Sequence, residues 1–75
     1  MTPAQCRAAR ALLSISQAAL ASTSGIGVQT LIAFESDRRK PYANTLNAIR
    51  AALESAGVIF LSENGNGPGV ALRKG

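Results

Sequence analysis

The four residues Ser24-Gly25-Ile26-Gly27 constrain this chain more than any other feature. They interrupt a stretch, Ala11 to Phe34, that carries no charge at all. Gly25 is free to take the left-handed conformation that ends a helix, because it has no Cβ to clash with the following carbonyl. On the N-terminal side, Ser16 is a cap candidate and Gln17 to Thr23 read as a short helix containing Ala18, Ala19, Leu20 and Ala21. On the C-terminal side, Val28 to about Glu35 form another short helix, with Leu31 and Phe34 three apart on one face. The sequence therefore predicts two short helices held together by a tight glycine-containing turn.

The flanks extend this pattern. Thr2-Pro3-Ala4-Gln5 is a helix start: Thr2 can accept from a free amide, Pro3 suits the first helical position, and Gln5 can return a bond to the cap. A first helix is expected from Pro3 to about Leu13. Asp37 to Pro41 is a charged turn, after which Leu46, Ile49, Leu53 and Ala56 recur at helical spacing. A fourth helix thus runs from Ala43 or Asn44 to Ala56, stopped by Gly57. Beyond it the run Val58-Ile59-Phe60-Leu61 has strand character, followed by a loop over Ser62 to Gly69 and a second short run, Val70-Ala71-Leu72. The expected fold is mainly α, a compact four-helix domain over residues 1–57 with a β extension over residues 58–75.

At 75 residues the chain buries a modest core, so dimerisation is a physical expectation. A single cysteine, Cys6, and no histidine exclude a disulfide framework and a zinc finger, and no cofactor or metal is expected. Cys6 sits among alanines and reads as a small core residue in a reducing compartment. Eight basic against four acidic side chains give a net charge of +4, which favours a polyanionic partner, nucleic acid first. The uncharged stretch is long enough to suggest a membrane span, but its Ser, Thr, Gln and Gly residues argue against one. Met1 leads directly into the capped helix and not into a basic-then-apolar leader, so a cytoplasmic location is expected. The scattered carboxylates, and serines with no base partner, support no catalysis. The run Gly65-Asn66-Gly67-Pro68-Gly69 lacks the lysine and following helix of a phosphate-cradling loop and reads as a flexible turn. Gly25-Ile26-Gly27 follows a helix, which excludes a dinucleotide fingerprint.

Between residues 5 and 56 the chain resembles the Xre or Cro/C1-type helix-turn-helix regulators. Ser16-Gln17, Leu20-Ala21, Gly25-Ile26, Thr30-Leu31, Phe34-Glu35, Pro41 and Thr45-Leu46 stand in that family's order and spacing. The resemblance implies a lambda-repressor-like fold and a double-stranded DNA partner, while the small size of the chain and its lack of a sensor domain lead us to expect no small-molecule effector. It places Gln17 near a phosphate, where side chain and helix amides can donate. It makes Val28 to Glu35 the recognition helix, with Val28, Gln29, Thr30 and Ala33 at base edges. Gln29 is the leading base reader, since a primary amide pairs bidentately with adenine. Ile32 also falls on or near the outward face. Arg10 and Glu35 sit where the family forms a structural ion pair that fixes helix three and reads no base.

Two departures from the family pattern matter. Gly27 stands where a serine or threonine commonly caps the recognition helix, and that helix has no basic residue. Phosphate attraction must then come from Arg38, Arg39 and Lys40 in the following turn, with Asn44 as a further donor. The expected function is a sequence-specific regulator, an autoregulating repressor or controller, acting as a homodimer on a pseudo-palindromic operator. The alternative is a protein-interaction module, an antitoxin or anti-activator subunit that keeps the fold. Val58, Ile59, Phe60 and Leu61 are the expected dimer interface, because an exposed apolar edge strand templates symmetric pairing. Against it stands a second arrangement, in which Phe60 and Leu72 fold back on the protomer's own helices.

Overall fold

The computed structural model describes residues 1–62, 65 and 67–74. Four helices, α1 (Pro3–Leu13), α2 (Gln17–Ser24), α3 (Val28–Glu35) and α4 (Ala43–Ser55), are followed by strands β1 (Val58–Leu61) and β2 (Gly69–Leu72). Boundaries differ from expectation by single residues at the ends of α2 and α4 and at the start of β2, where terminal hydrogen bonds fray. The loop expected over Ser62 to Gly69 includes Glu63, Asn64 and Asn66, which lie outside the described residues.

Local chemistry sets each helix end. Thr2 Oγ1 accepts from the Gln5 amide at 3.1 Å while Gln5 Oε1 accepts from the Thr2 amide at 2.9 Å, a closed capping box with Pro3 in the first turn. Ser16 Oγ caps α2 by accepting from the Ala19 amide at 3.0 Å. α3 starts at Gly27 with no side-chain cap. Its predecessors α1 and α2 and α3 itself all end the same way. The residues just past each helix, Ser14 (φ 56°), Gly25 (φ 72°) and Asp37 (φ 60°), are left-handed. Beyond each, the next amide turns back five residues: Ile15 to Arg10, Ile26 to Ala21 and Arg38 to Ala33.

The core draws on every helix and on β1. Cys6 and Ala9 of α1, Leu20 and Ala21 of α2, Leu31 and Phe34 of α3, Ile49 and Leu53 of α4, and Val58 of β1 form one buried cluster. Small Ala9 and Ala21 let neighbouring helices approach closely. Ile32 is half-buried, a correction to its expected outward exposure. The reason is that α3 packs against both α1 and α2, so its buried arc is wider than the Leu31–Phe34 stripe.

β1 and β2 pair antiparallel within the chain, Val58 opposite Leu72, Ile59 opposite Ala71, Phe60 opposite Val70 and Leu61 opposite Gly69. Opposed residues share a face. Val58 is 1% exposed, and Phe60 and Val70 pack against the same core, so the inner face of the hairpin closes the helical domain. Of the four residues expected at a dimer interface, Val58 and Phe60 therefore turn to the protomer's own helices, a correction. Ile59 and Leu61 face outward, 41% and 46% exposed. Gln5 ties the hairpin to α1: its Nε2 donates to the Gly69 carbonyl at 3.0 Å and the Leu61 carbonyl at 3.4 Å. One buried amide thus caps a helix with its oxygen and anchors two strands with its nitrogen.

Candidate nucleic-acid interface

α3 is fixed from behind by a charged network. Glu35 closes the helix and is 3% exposed. Its carboxylate accepts from Arg10 at both oxygens, Nε to Oε2 and Nη2 to Oε1, each at 2.7 Å. Gln17 Nε2 donates to Oε1 at 2.9 Å and Cys6 Sγ to Oε2 at 3.1 Å. Arg7 donates to the Glu35 carbonyl. Burial alone would raise the Glu35 carboxyl, but the hydrogen bonds from Arg10, Cys6 and Gln17 and the Arg10 charge outweigh it and hold the group below its ordinary value. Burial first, and then the hydrogen bond to Glu35, push the Cys6 thiol up to about 12, which makes it inert as a nucleophile.

This network gives Gln17 a structural role as well. One amide proton of its side chain is committed to Glu35, which leaves a single proton for any outside acceptor. Gln17 remains half-buried at the first position of α2, joining α1, α2 and α3 through one carboxylate.

The opposite side of α3 opens on a groove of about 430 Å³ lined by Gln29, Thr30, Ala33, Arg39, Lys40, Pro41, Tyr42 and Thr45. Five of the expected contact residues, Gln29, Thr30, Ala33, Arg39 and Lys40, meet here. The turn that brings them together follows from the end of α3. Asp37 takes the left-handed conformation, its amide donates to the Phe34 carbonyl at 3.0 Å, and the Arg38 amide donates to the Ala33 carbonyl at 2.9 Å. The Arg39 amide shares the Ala33 carbonyl at 3.3 Å. The basic turn is thus tied to the residue whose side chain lines the groove.

The remaining expected residues lie elsewhere. Val28, the first residue of α3, is half-buried and packs against the core, outside the groove. Arg38 is exposed, its Nε donating to Ser36 Oγ at 3.0 Å, and Asn44 is exposed in the first turn of α4. Neither lines the groove. The sequence reading missed Tyr42. Positions 42, 46, 49 and 53 share a helical period, so spacing alone assigns Tyr42 to the buried stripe of α4. The observed N-cap backbone of Tyr42, extended at φ −61° and ψ 155°, takes it off that stripe and into solvent.

The described residues include no helix long and apolar enough to cross a membrane. No match is found among curated proteins. A family model described as Helix-turn-helix matches residues 7–56, from within α1 through the end of α4. That match covers two thirds of the chain and stops where the hairpin begins. With α2, the Gly25 turn and α3 arranged as described, the chain belongs to the Cro/C1-type helix-turn-helix family of DNA-binding regulators.

Proposed function

We propose that this protein is a sequence-specific regulator that binds double-stranded DNA as a homodimer on a pseudo-palindromic operator and controls its own gene as a repressor or controller. The observation that carries the proposal is the groove. Amide, hydroxyl and methyl groups of Gln29, Thr30 and Ala33 on α3 stand beside the cations of Arg39 and Lys40, which pairs a base-reading surface with a phosphate-attracting one. Gln29 reads adenine, Thr30 and Ala33 lie at base edges, and Val28 brackets them at the start of the helix. Arg39 and Lys40 hold the flanking phosphates, with Arg38, Asn44 and the free proton of Gln17 outside the groove as further contacts.

Residues 1–57 act as the reading unit. Residues 58–75 complete its core and offer Ile59 and Leu61 to a second copy. Two copies reading half-sites about one helical turn apart raise the affinity of a small domain to a useful level. No small-molecule effector enters this scheme, so control follows protein concentration.

The test is a binding titration on the DNA upstream of the protein's own gene and on a scrambled duplex, at low and moderate salt. Selective, salt-sensitive binding is expected, with Gln29→Ala reducing the preference by about 1–3 kcal/mol. Absence of any preference at any salt would instead favour a protein-interaction role for the outward strand face.

A further inference from the structure

Tyr42 stands out on the groove wall. It is 83% exposed, whereas the chain's other aromatic residues, Phe34 and Phe60, lie in or against the core. As the N-cap of α4 it makes no side-chain cap bond, although serine, threonine, aspartate or asparagine would do so there. Among the described residues its hydroxyl has no hydrogen-bond partner within the chain. The residue thus forgoes a cap and leaves an aromatic ring in water, and neither choice stabilises the protomer.

We infer that Tyr42 is a DNA-backbone contact, its ring lying against a deoxyribose and its hydroxyl donating to a phosphate oxygen. The inference rests on the DNA-binding reading above. The groove has two walls of different chemistry. One is α3, with Gln29, Thr30 and Ala33. The other is the turn into α4, with Arg39 and Lys40 just ahead of Tyr42. When α3 enters a major groove, the second wall meets the phosphate strand bordering it. An aromatic ring with a hydroxyl tip suits that strand, because the ring covers apolar sugar carbons while the tip reaches a charged oxygen. With two side-chain torsions, tyrosine also loses little conformational freedom on contact.

The phenol is neutral, so it displaces no condensed counterion, and this separates its signature from that of the neighbouring cations. The experiment measures dissociation constants of wild type, Tyr42→Phe and Tyr42→Ala on the gene's own upstream duplex and on a scrambled one, at two salt concentrations. Melting curves accompany the titrations. Tyr42→Ala should weaken both duplexes by the same factor, about tenfold, and Tyr42→Phe by about threefold, with salt slopes and melting unchanged. Wild-type affinity in Tyr42→Ala would overturn the inference, and so would a loss confined to the upstream duplex, which would put the ring on a base. If wild type shows no salt-sensitive binding, the DNA reading itself fails. Salt-sensitive wild-type binding with a silent Tyr42→Ala removes this contact alone.

Discussion

The two sides of α3 invert each other's chemistry. Toward α1 and α2, each oxygen of Glu35 is occupied, by Arg10 and Gln17 at one and by Arg10 and Cys6 at the other. Toward the groove, Gln29, Thr30, Arg39 and Lys40 are exposed, and Tyr42 stands in solvent. A buried polar group without partners is costly, so the inner side is complete within the protomer. An outer side already satisfied within the chain would have nothing to offer a ligand. Stability and recognition thus sit on opposite faces of one eight-residue helix, and substitutions on the two faces should separate cleanly.

The strongest attempt to break that separation is Arg10→Ala. It leaves the buried Glu35 carboxylate without its cation, with only the neutral donors Gln17 and Cys6, at a cost of about 3 kcal/mol, a large part of what a domain this small possesses. Melting should show the loss, and Cys6, buried and inert in the native state, should become open to alkylation as the domain opens. The same network sets an acid dependence. Because the folded-state value of Glu35 is depressed, its contribution is fully present above the ordinary value of 4.5 and is lost as pH falls through the lower folded value. Denaturant titrations should find wild type weakening over that interval and Glu35→Gln lacking this component. Retained stability in Arg10→Ala would mean that the inner side is not what holds α3.

The inner side was also the more legible of the two in the sequence. Caps at Thr2 and Ser16, the left-handed Gly25 and the Leu31–Phe34 spacing are local signals, and each reappears within a residue of its expected place. Arg10 and Glu35 lie 25 residues apart, and the family resemblance alone brought them together. The roles of Cys6 and Gln17 in that network depend on three helices converging on one carboxylate, which no local pattern encodes. On the outer side, the sequence presents Arg38, Arg39 and Lys40 as one contiguous basic run. The turn instead divides them, sending Arg39 and Lys40 into the groove and leaving Arg38 on Ser36. In the hairpin, alternation between Val58 and Phe60 inward and Ile59 and Leu61 outward is hidden by a run in which every residue is apolar.

An intermediate effect is expected from the outer side. Arg39→Gln should leave melting unchanged and weaken binding to both duplexes alike. It should also lower the slope of log affinity against log salt by about 0.9, the share of one phosphate contact. Arg38→Gln, outside the groove, should move that slope less. Equal changes in the two variants would show that the cations act as a diffuse cloud and that the groove does not select between them.

The smallest effect probes the hinge between the sides. Asp37 holds the left-handed position that lets the Arg38 amide reach the Ala33 carbonyl, and Gly25 fills the same position after α2. Asp37→Gly relieves a conformation unfavourable to a residue with a Cβ, but it gives the unfolded chain more freedom, so the net gain is under about 1 kcal/mol. It also removes a negative charge beside Arg38, Arg39 and Lys40, which should tighten DNA binding a few-fold at low salt and hardly at all at high salt. Ser14→Gly is the matched control, because Ser14 holds the same conformation after α1 and carries no charge. It should reproduce the small rise in melting temperature without the change in binding. A binding gain that persists at high salt would mean that glycine has reset the turn itself, coupling the end of α3 to the groove through backbone geometry as well as charge.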